Sequence, residues 1–292
     1  MRGALYDPAF LQRLEHLSLT ARRVLGGKVR GERRGPRRGV GVEFRDFRAY
    51  VSGDDIRYLD WNVYRRLERL VLKLFVEEED LSLHLLLDGS ASMGVGVPAK
   101  FDYAVRAAAA LAYIALSSHE RVSIALFNGG IAQSVGPVRG RNRIFPVLDF
   151  LGGLSCRGDT CFAAAVRAHL ARIRTADLVM VMSDFLSPEG FEEGLDLLWG
   201  RRCDPVLLHL VTPEELDPPI GGAVILQDAE TGAVREIPGA SALGAYRRNL
   251  RAFFDRVEGF CRRRGIDYLR LSTTVPLEDL ILRHLRAGGI LG

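Results

Sequence analysis

Residues Leu81–Met93 read LSLHLLLDGSASM. The apolar run in this stretch is nearly continuous and stops abruptly at Asp88. A strand buried on both faces of a parallel sheet has this pattern, because neither face has to meet water. Toward the C-terminus, helices and strands alternate. Phe101–Ser118 reads as a helix, Val122–Phe127 as a strand, and Ala132–Val138, after the Asn128-Gly129-Gly130 turn, as an antiparallel neighbour. Helices follow at Asn142–Leu151 and Thr160–Arg174, a strand at Leu178–Met182, a helix at Pro188–Gly200 and a buried strand at Val206–Val211. Ala223–Gln227 and Val234–Ile237 flank Glu230-Thr231-Gly232 as a hairpin. A long helix over Ala242–Arg264, a strand at Tyr268–Leu271 and a helix at Leu277–Arg286 close the chain. The spacing predicts an α/β fold, a doubly wound and mostly parallel sheet with helices on both faces.

Toward the N-terminus the pattern differs. Leu11, Leu14, Leu17 and Leu19 mark a short amphipathic helix, and Gly26–Gly41 reads as a Gly- and Arg-rich arm. Val40, Val42, Phe44 and Phe47 suggest a strand, followed by turn chemistry at Ser52-Gly53-Asp54-Asp55. A second strand from Leu70 is separated from Leu81 by an acidic turn, Glu77–Asp80. The expected division is therefore 1–80, a helix, basic arm and small β-containing segment, and 81–292, the α/β domain.

With 292 residues, 48% hydrophobic and 26% charged, the chain can bury a sizeable core and has a soluble, globular composition. Its net charge is only +4, yet Arg22, Arg23, Lys28, Arg30, Arg33, Arg34, Arg37 and Arg38 crowd one stretch, opposed only by Glu32. Either this is a solvated arm, or Arg30, Arg33, Arg34, Arg37 and Arg38 form an anion site for nucleic acid or lipid head groups. No aromatic residue is interleaved, which argues against a stacking platform and against nucleic acid as the partner. The start, MRGALYDPAF, does not read as a signal peptide, since Asp7 interrupts it and no apolar core follows. No uncharged apolar run approaches the roughly 20 residues that span a bilayer. The expectation is a cytoplasmic protein whose membrane contact is indirect, through a partner or the basic arm. The four cysteines lack a paired Cys-x-x-Cys signature and read as small core residues. His84 and His209 lie within apolar strands and read as satisfied core histidines.

Ligands of open α/β sheets bind at the carboxyl ends of the strands. Three loops at that edge carry oxygen-bearing side chains: Asp88-Gly89-Ser90-Ala91-Ser92, Arg157-Gly158-Asp159-Thr160 and Ser183-Asp184. Two carboxylates with three hydroxyls make a hard, all-oxygen donor set that suits Mg2+, with Mn2+ or Ca2+ as alternatives. The competing reading is local: a polar turn at Asp88–Ser92, a helix N-cap at Asp159 or Thr160, and a cap before Pro188 at Asp184. Asp184 is expected behind the metal, holding a water or a serine hydroxyl.

Asp88-x-Ser90-x-Ser92, with Thr160 and Asp184, resembles the metal-ion-dependent adhesion site of von Willebrand factor A domains. Upstream, Gly53-Asp54-Asp55-Ile56-Arg57-Tyr58-Leu59-Asp60-Trp61 is similar to the Gly-Asp-Asp-x-Arg-x-x-Asp-Trp segment of the bacterial family called domain of unknown function 58. The resemblance runs from about Gly39 to the end. It implies a non-enzymatic partner of a MoxR-type AAA+ ATPase, or of another protein presenting Glu or Asp to a metal held by Asp88, Ser90, Ser92, Thr160 and Asp184. No small-molecule substrate is implied. For Asp54, Asp55, Arg57, Asp60 and Trp61 the expectation is a salt-bridged turn with a Trp anchor; partner docking through Asp54, Asp55, Arg57 and Trp61 is the alternative.

Enzyme readings fit less well. A metal-dependent phosphatase built on Asp88, Lys100 and Asp184 would need a general acid two residues after Asp88, where Ser90 stands. The frame around Ser92 is not Gly-x-Ser-x-Gly, and no phosphate-binding G-x-x-x-x-G-K-[ST] loop exists. The remaining alternative is a metal-independent scaffold that uses the arginine arm.

Overall fold

In the computed structural model, residues 2–25, 43–51, 54–76, 82–173, 178–201, 203–219, 223–230 and 232–284 are described. The arginines expected to bind anions, Arg30, Arg33, Arg34, Arg37 and Arg38, lie outside the described residues, as do Gly53 and the acidic turn 77–80. The described residues fall into two units, a small one within 30–80 and a large one that joins the first helices to everything from 82 onward.

The large unit begins with α1 (Arg2–Leu5) and α2 (Pro8–Leu25). The small unit is an antiparallel pair, β1 (Glu43–Ala49) and β2 (Val71–Val76), with α3 (Trp61–Leu67) between them in sequence. Asp60 caps α3, its Oδ1 accepting from the backbone N–H of Asn62 at 2.8 Å and of Val63 at 3.2 Å. Asp54 pairs with Arg48 at 2.9 Å and Asp55 with Arg57 at 2.6 Å, so the turn is salt-bridged as expected. Within the small unit Trp61, the first residue of α3, is 60% exposed and meets Tyr64 edge-on.

The large unit continues through β3 (Ser82–Asp88), α4 (Lys100–Ser117), β4 (Arg121–Phe127), β5 (Ile131–Arg139), α5 (Ile144–Gly152), α6 (Phe162–Leu170), β6 (Leu178–Ser183) and α7 (Glu192–Gly200). Then come β7 (Asp204–Val211), α8 (Pro213–Leu216), the hairpin β8 (Ala223–Gln227) and β9 (Val234–Pro238), α9 (Gly239–Arg264), β10 (Asp267–Ser272) and α10 (Leu277–Asp279). Six strands form one sheet in the order β10-β7-β6-β3-β4-β5, all parallel except the edge strand β5. This is the expected fold class. β3, at its centre, is buried from Leu83 to Asp88.

Each face of the sheet has its own apolar core. Leu83, Leu85 and Leu87 face one side with Leu14 and Leu17 of α2, Ala104 and Leu111 of α4, and Leu148 and Leu151 of α5. Leu86 faces the other with Val166 of α6, Leu195 and Leu198 of α7, and Val257 and Cys261 of α9. Burying each such aliphatic side chain contributes about 1.5–3 kcal/mol. The sequence boundary at residue 80 grouped the first helix with the small segment. In the structure α2 packs on α4, because its Phe10-Leu14-Leu17 stripe belongs to the α/β core. No helix among the described residues is long and apolar enough to cross a membrane.

Candidate functional site

The C-terminal ends of β3 and β6, which sit side by side in the sheet, present Asp88 and Ser183-Asp184. The loop after β3 leaves the sheet through Gly89, whose position leaves no room for a side chain: a Cβ there would lie 2.8 Å from Leu126 Cδ1. Backbone hydrogen bonds lace this loop to the one before α6. Arg157 N–H donates to Gly89 O at 2.7 Å and Ala91 N–H to Gly158 O at 2.9 Å. Gly158 has φ +76°, a left-handed conformation that glycine adopts at low cost. A third stitch, Asn128 Nδ2 to Arg157 O at 2.6 Å, ties the same loop to the end of β4. The β6 loop joins through Ser187 Oγ, which donates to Thr160 O at 3.4 Å.

The three loops singled out in the sequence therefore meet. Ser90 Oγ and Ser92 Oγ lie 3.0 Å apart. Asp88, behind them, is 1% exposed; its Oδ1 accepts from Ser90 N–H at 2.9 Å and its Oδ2 from Ser183 Oγ at 2.5 Å. The serine hydroxyl expected on Asp184 is thus held by Asp88. Burial, then the negative charge of Asp184, push the Asp88 carboxyl up to about 7, against the hydrogen bonds from Ser183 and Ser90.

Thr160 departs from expectation in an informative way. The helix it was expected to open starts at Phe162 with Cys161 at the cap position, and no side chain caps it. Thr160 is 5% exposed, and its Oγ1 is buried with no hydrogen-bond partner among the described residues. A buried hydroxyl left unpaired costs roughly 1–3 kcal/mol, so the N-cap explanation fails and a donor position stands ready.

Asp184 is committed on both oxygens. Oδ1 accepts from Leu186 N–H at 3.1 Å, and Oδ2 from Lys100 Nζ at 2.8 Å. The chain turns sharply here because Phe185 adopts φ +56° and sends its ring into the core, with its N–H donating to Ser183 Oγ. Lys100 also binds Glu215. Burial works against the Lys100 charge, but Asp184 and Glu215 outweigh it and hold its ammonium above the ordinary range. Glu215 is fixed by a capping box at the end of β7, accepting from Thr212 N–H at 2.8 Å while Thr212 Oγ1 accepts from Glu215 N–H at 3.2 Å. The sequence reading missed Glu215 and gave Lys100 no structural role, although Thr212-Pro213-Glu214-Glu215 carries the capping-box spacing.

Of the cysteines, Cys203 and Cys261 are core residues as expected. Cys156 and Cys161 are only half-buried, and Cys161 Sγ donates to Glu189 Oε2 at 2.9 Å. His209 is a core histidine, its Nδ1 2.8 Å from the Tyr268 hydroxyl. Asp54, Asp55, Arg57 and Trp61 belong to the small unit.

The donor set at this edge is three hydroxyls in front of two carboxylates. No group of three or more His, Cys, Asp or Glu side chains forms a metal-ligand cluster among the described residues; the hydroxyls of Ser90, Ser92 and Thr160 are hard oxygen donors. Of the two buried carboxylates, Asp184 is paired with Lys100, while Asp88 is held by Ser90 N–H and Ser183 Oγ, so a divalent ion in front of them would favour the ionised form of Asp88.

Fold and edge together define a doubly wound α/β unit with a hydroxyl-rich, acidic recess at the carboxyl ends of its strands. The chain belongs to the family described as "Protein of unknown function DUF58", which matches residues 46–258. Uncharacterized proteins of Mycobacterium bovis and Mycobacterium tuberculosis are each 30% identical over 243 residues, covering 81% of this chain and 76% of theirs. Among solved structures, BatB from Bacteroides thetaiotaomicron is similar with a TM-score of 0.45 and 13% identity, over 72% of this chain and 99% of that one. A manganese-loaded TRAP protein of Plasmodium vivax is similar over 44% of this chain and 57% of that one, with a TM-score of 0.31 and 21% identity.

Proposed function

We propose that the chain is a non-enzymatic interaction module that binds an acidic side chain of a partner protein through a divalent cation, Mg2+ in the first place, with Mn2+ or Ca2+ as alternatives. The observation that carries this reading is the buried, unpartnered Thr160 Oγ1 on a loop stitched to the one that presents Ser90 and Ser92. Ser90, Ser92 and Thr160 are the residues that would hold the ion. Asp88 and Asp184 stand behind them: Asp88 orients Ser90 and Ser183, and Asp184 is itself oriented by Lys100. When bound, the cation supplies a position that an incoming Asp or Glu can fill. Exposed apolar side chains on the same two loops, Val95 and Val97 after β3 and Leu186 after β6, offer the partner contact around that charge.

The partner class that the family resemblance implies is a MoxR-type AAA+ ATPase. Ser90 stands two residues after Asp88, where a phosphatase of this kind needs a general acid, which favours adhesion over phosphoryl chemistry.

The test has two parts. Purified chain is titrated with Mn2+ by electron paramagnetic resonance, and the MoxR-type ATPase of the same genome is captured in Mg2+ and in EDTA. Saturable binding that Asp88→Asn weakens, with capture lost in EDTA, is the expected result. Absence of saturable Mn2+ binding up to about 1 mM, the weak end of protein sites for hard divalent cations, or capture indifferent to EDTA, sinks the reading.

A further inference from the structure

Lys100 has two acid partners, and only one of them belongs to the recess. The sheet order β10-β7-β6-β3 sets the ends of β7, β6 and β3 in a row. Ser90 and Ser92 follow β3, Asp184 follows β6, and Glu215 follows β7. Lys100 arrives from the β3 side, at the end of the loop that carries the two serines. Its ammonium nevertheless lies on Asp184 Oδ2, at 2.8 Å, and on Glu215 Oε1.

The element that presents Glu215 is small for the number of ties that hold it. α8 is one turn long, and a single turn has little helical stability of its own. A capping box closes its start, Thr212 N–H donating to Glu215 Oε2 at 2.8 Å and Glu215 N–H to Thr212 Oγ1 at 3.2 Å. Thr212 is wholly buried. Gly96, at φ +97° in the loop after β3, packs so close to it that a Cβ there would lie 2.3 Å from Thr212 Cγ2. Tyr246 of α9 donates its hydroxyl to Glu215 O at 2.7 Å, and Arg247 pairs with Asp217 at 2.5 Å. One oxygen of Glu215 therefore closes the cap, and the other is held on Lys100.

One carboxylate answers the charge of a buried ammonium, and Asp184 supplies it. Glu215 is one acid more than that pair requires, so its effect is on where the positive charge sits. An ammonium beside a cation site repels the cation, and does so more strongly the further the pair is from water.

We propose that Glu215 is a positioning residue of the cation site: it holds the charge of Lys100 on the β7 side of Asp184, away from the hydroxyls of Ser90 and Ser92. The inference rests on the metal-bridging reading above. It gives the recess a support two strands away from those hydroxyls, at the end of β7.

Full-length wild type, Glu215→Gln, Lys100→Met and the double variant are titrated with Mn2+ by electron paramagnetic resonance. Glutamine keeps an acceptor for the cap and removes the charge. A second readout follows Lys100 itself. The chain has three lysines, Lys28, Lys73 and Lys100, so lysine-selective 13C labelling gives one Cε signal for each. The expected result is that Glu215→Gln weakens Mn2+ binding about tenfold or more, the scale of losing an outer partner of a metal site. It should also shift the Lys100 signal and leave the other two in place. On Lys100→Met, the same substitution should have no effect, since the charge it positions is gone. Wild-type affinity in Glu215→Gln overturns the positioning role and leaves the metal reading standing. Weakening with the Lys100 signal unmoved, or of equal size on Lys100→Met, does the same, because the effect then bypasses the ammonium. If Lys100→Met fails to fold, the Lys100 signal decides. Absence of saturable Mn2+ binding by wild type overturns both readings.

Discussion

Lys100 Nζ lies 2.8 Å from Asp184 Oδ2, and the two side chains are 1% and 2% exposed. The first residue of α4 thus delivers a fixed positive charge to the end of β6. Asp184 is neutralised by the protein itself, whereas among the described residues Asp88 next to it has only neutral donors, Ser90 N–H and Ser183 Oγ. The two carboxylates of the recess are therefore not equivalent. One is a braced structural anion, and the other is the anion whose charge a bound cation would answer.

Lys100→Met separates these roles. Removing one partner of a buried ion pair leaves an uncompensated charge and costs about 3–5 kcal/mol. Urea unfolding in EDTA should show that loss, and saturating Mg2+ should return part of it, because an ion that binds only the folded state stabilises it by mass action. A loss under about 1 kcal/mol would mean that the pair is solvated and does not brace Asp184.

Thr160→Val has the opposite sign. The Oγ1 it removes is buried without a partner among the described residues, and valine replaces the hydroxyl with a methyl of similar shape. In EDTA the variant should be as stable as wild type or more stable, by about 1 kcal/mol, while the gain in Tm that wild type shows with Mg2+ should shrink. Marked destabilisation in EDTA would show that the hydroxyl has a structural partner and is not held for a ligand.

The fold was legible because burial on both faces leaves a direct mark: Leu83–Leu87 cannot be read as anything but an interior segment, and Asp88 marks where it ends. The recess was legible in its parts for the same reason, since Asp88 and Asp184 each follow a buried strand. What the sequence does not encode is how side chains from distant elements pair. Lys100 heads a helix and Glu215 sits in a one-turn helix after β7, and only the sheet order brings both to Asp184. Thr160 and Phe162 differ by two positions, within the error of any helix boundary, yet that difference decides between a cap and a free hydroxyl. In the small unit the local fixing of α3 is done by Asp60 through its two backbone hydrogen bonds, a role that a Trp beside an aspartate does not announce.

That role in the small unit can be measured. Asp60→Ala removes the acceptor of Asn62 N–H and Val63 N–H and should cost about 1 kcal/mol, with faster hydrogen exchange at the amides of α3. Trp61→Ser, at an exposed position, should stay within about 0.5 kcal/mol of wild type. An equal or larger loss for Trp61→Ser would put its ring against protein in solution and bear out the anchor reading.

His209 lies among Phe185, Phe253, Phe254 and Tyr268, and burial, reinforced by Arg270 and Lys100, lowers its pKa to about 3 against the opposing influence of Asp184. In the unfolded chain an imidazole titrates near its ordinary value of 6.5. Between these values the unfolded state binds a proton that the folded state refuses, so stability is full above 6.5 and is lost as pH falls toward 3. The slope is at most about 1.4 kcal/mol per pH unit. His209→Gln keeps a polar partner for the Tyr268 hydroxyl but cannot titrate. Its stability deficit relative to wild type at pH 7 should therefore narrow, and then reverse, as urea unfolding is repeated at successively lower pH. A deficit that stays constant with pH would mean that His209 is protonated in the fold, and that the aromatic wall behind Asp184 admits a charge.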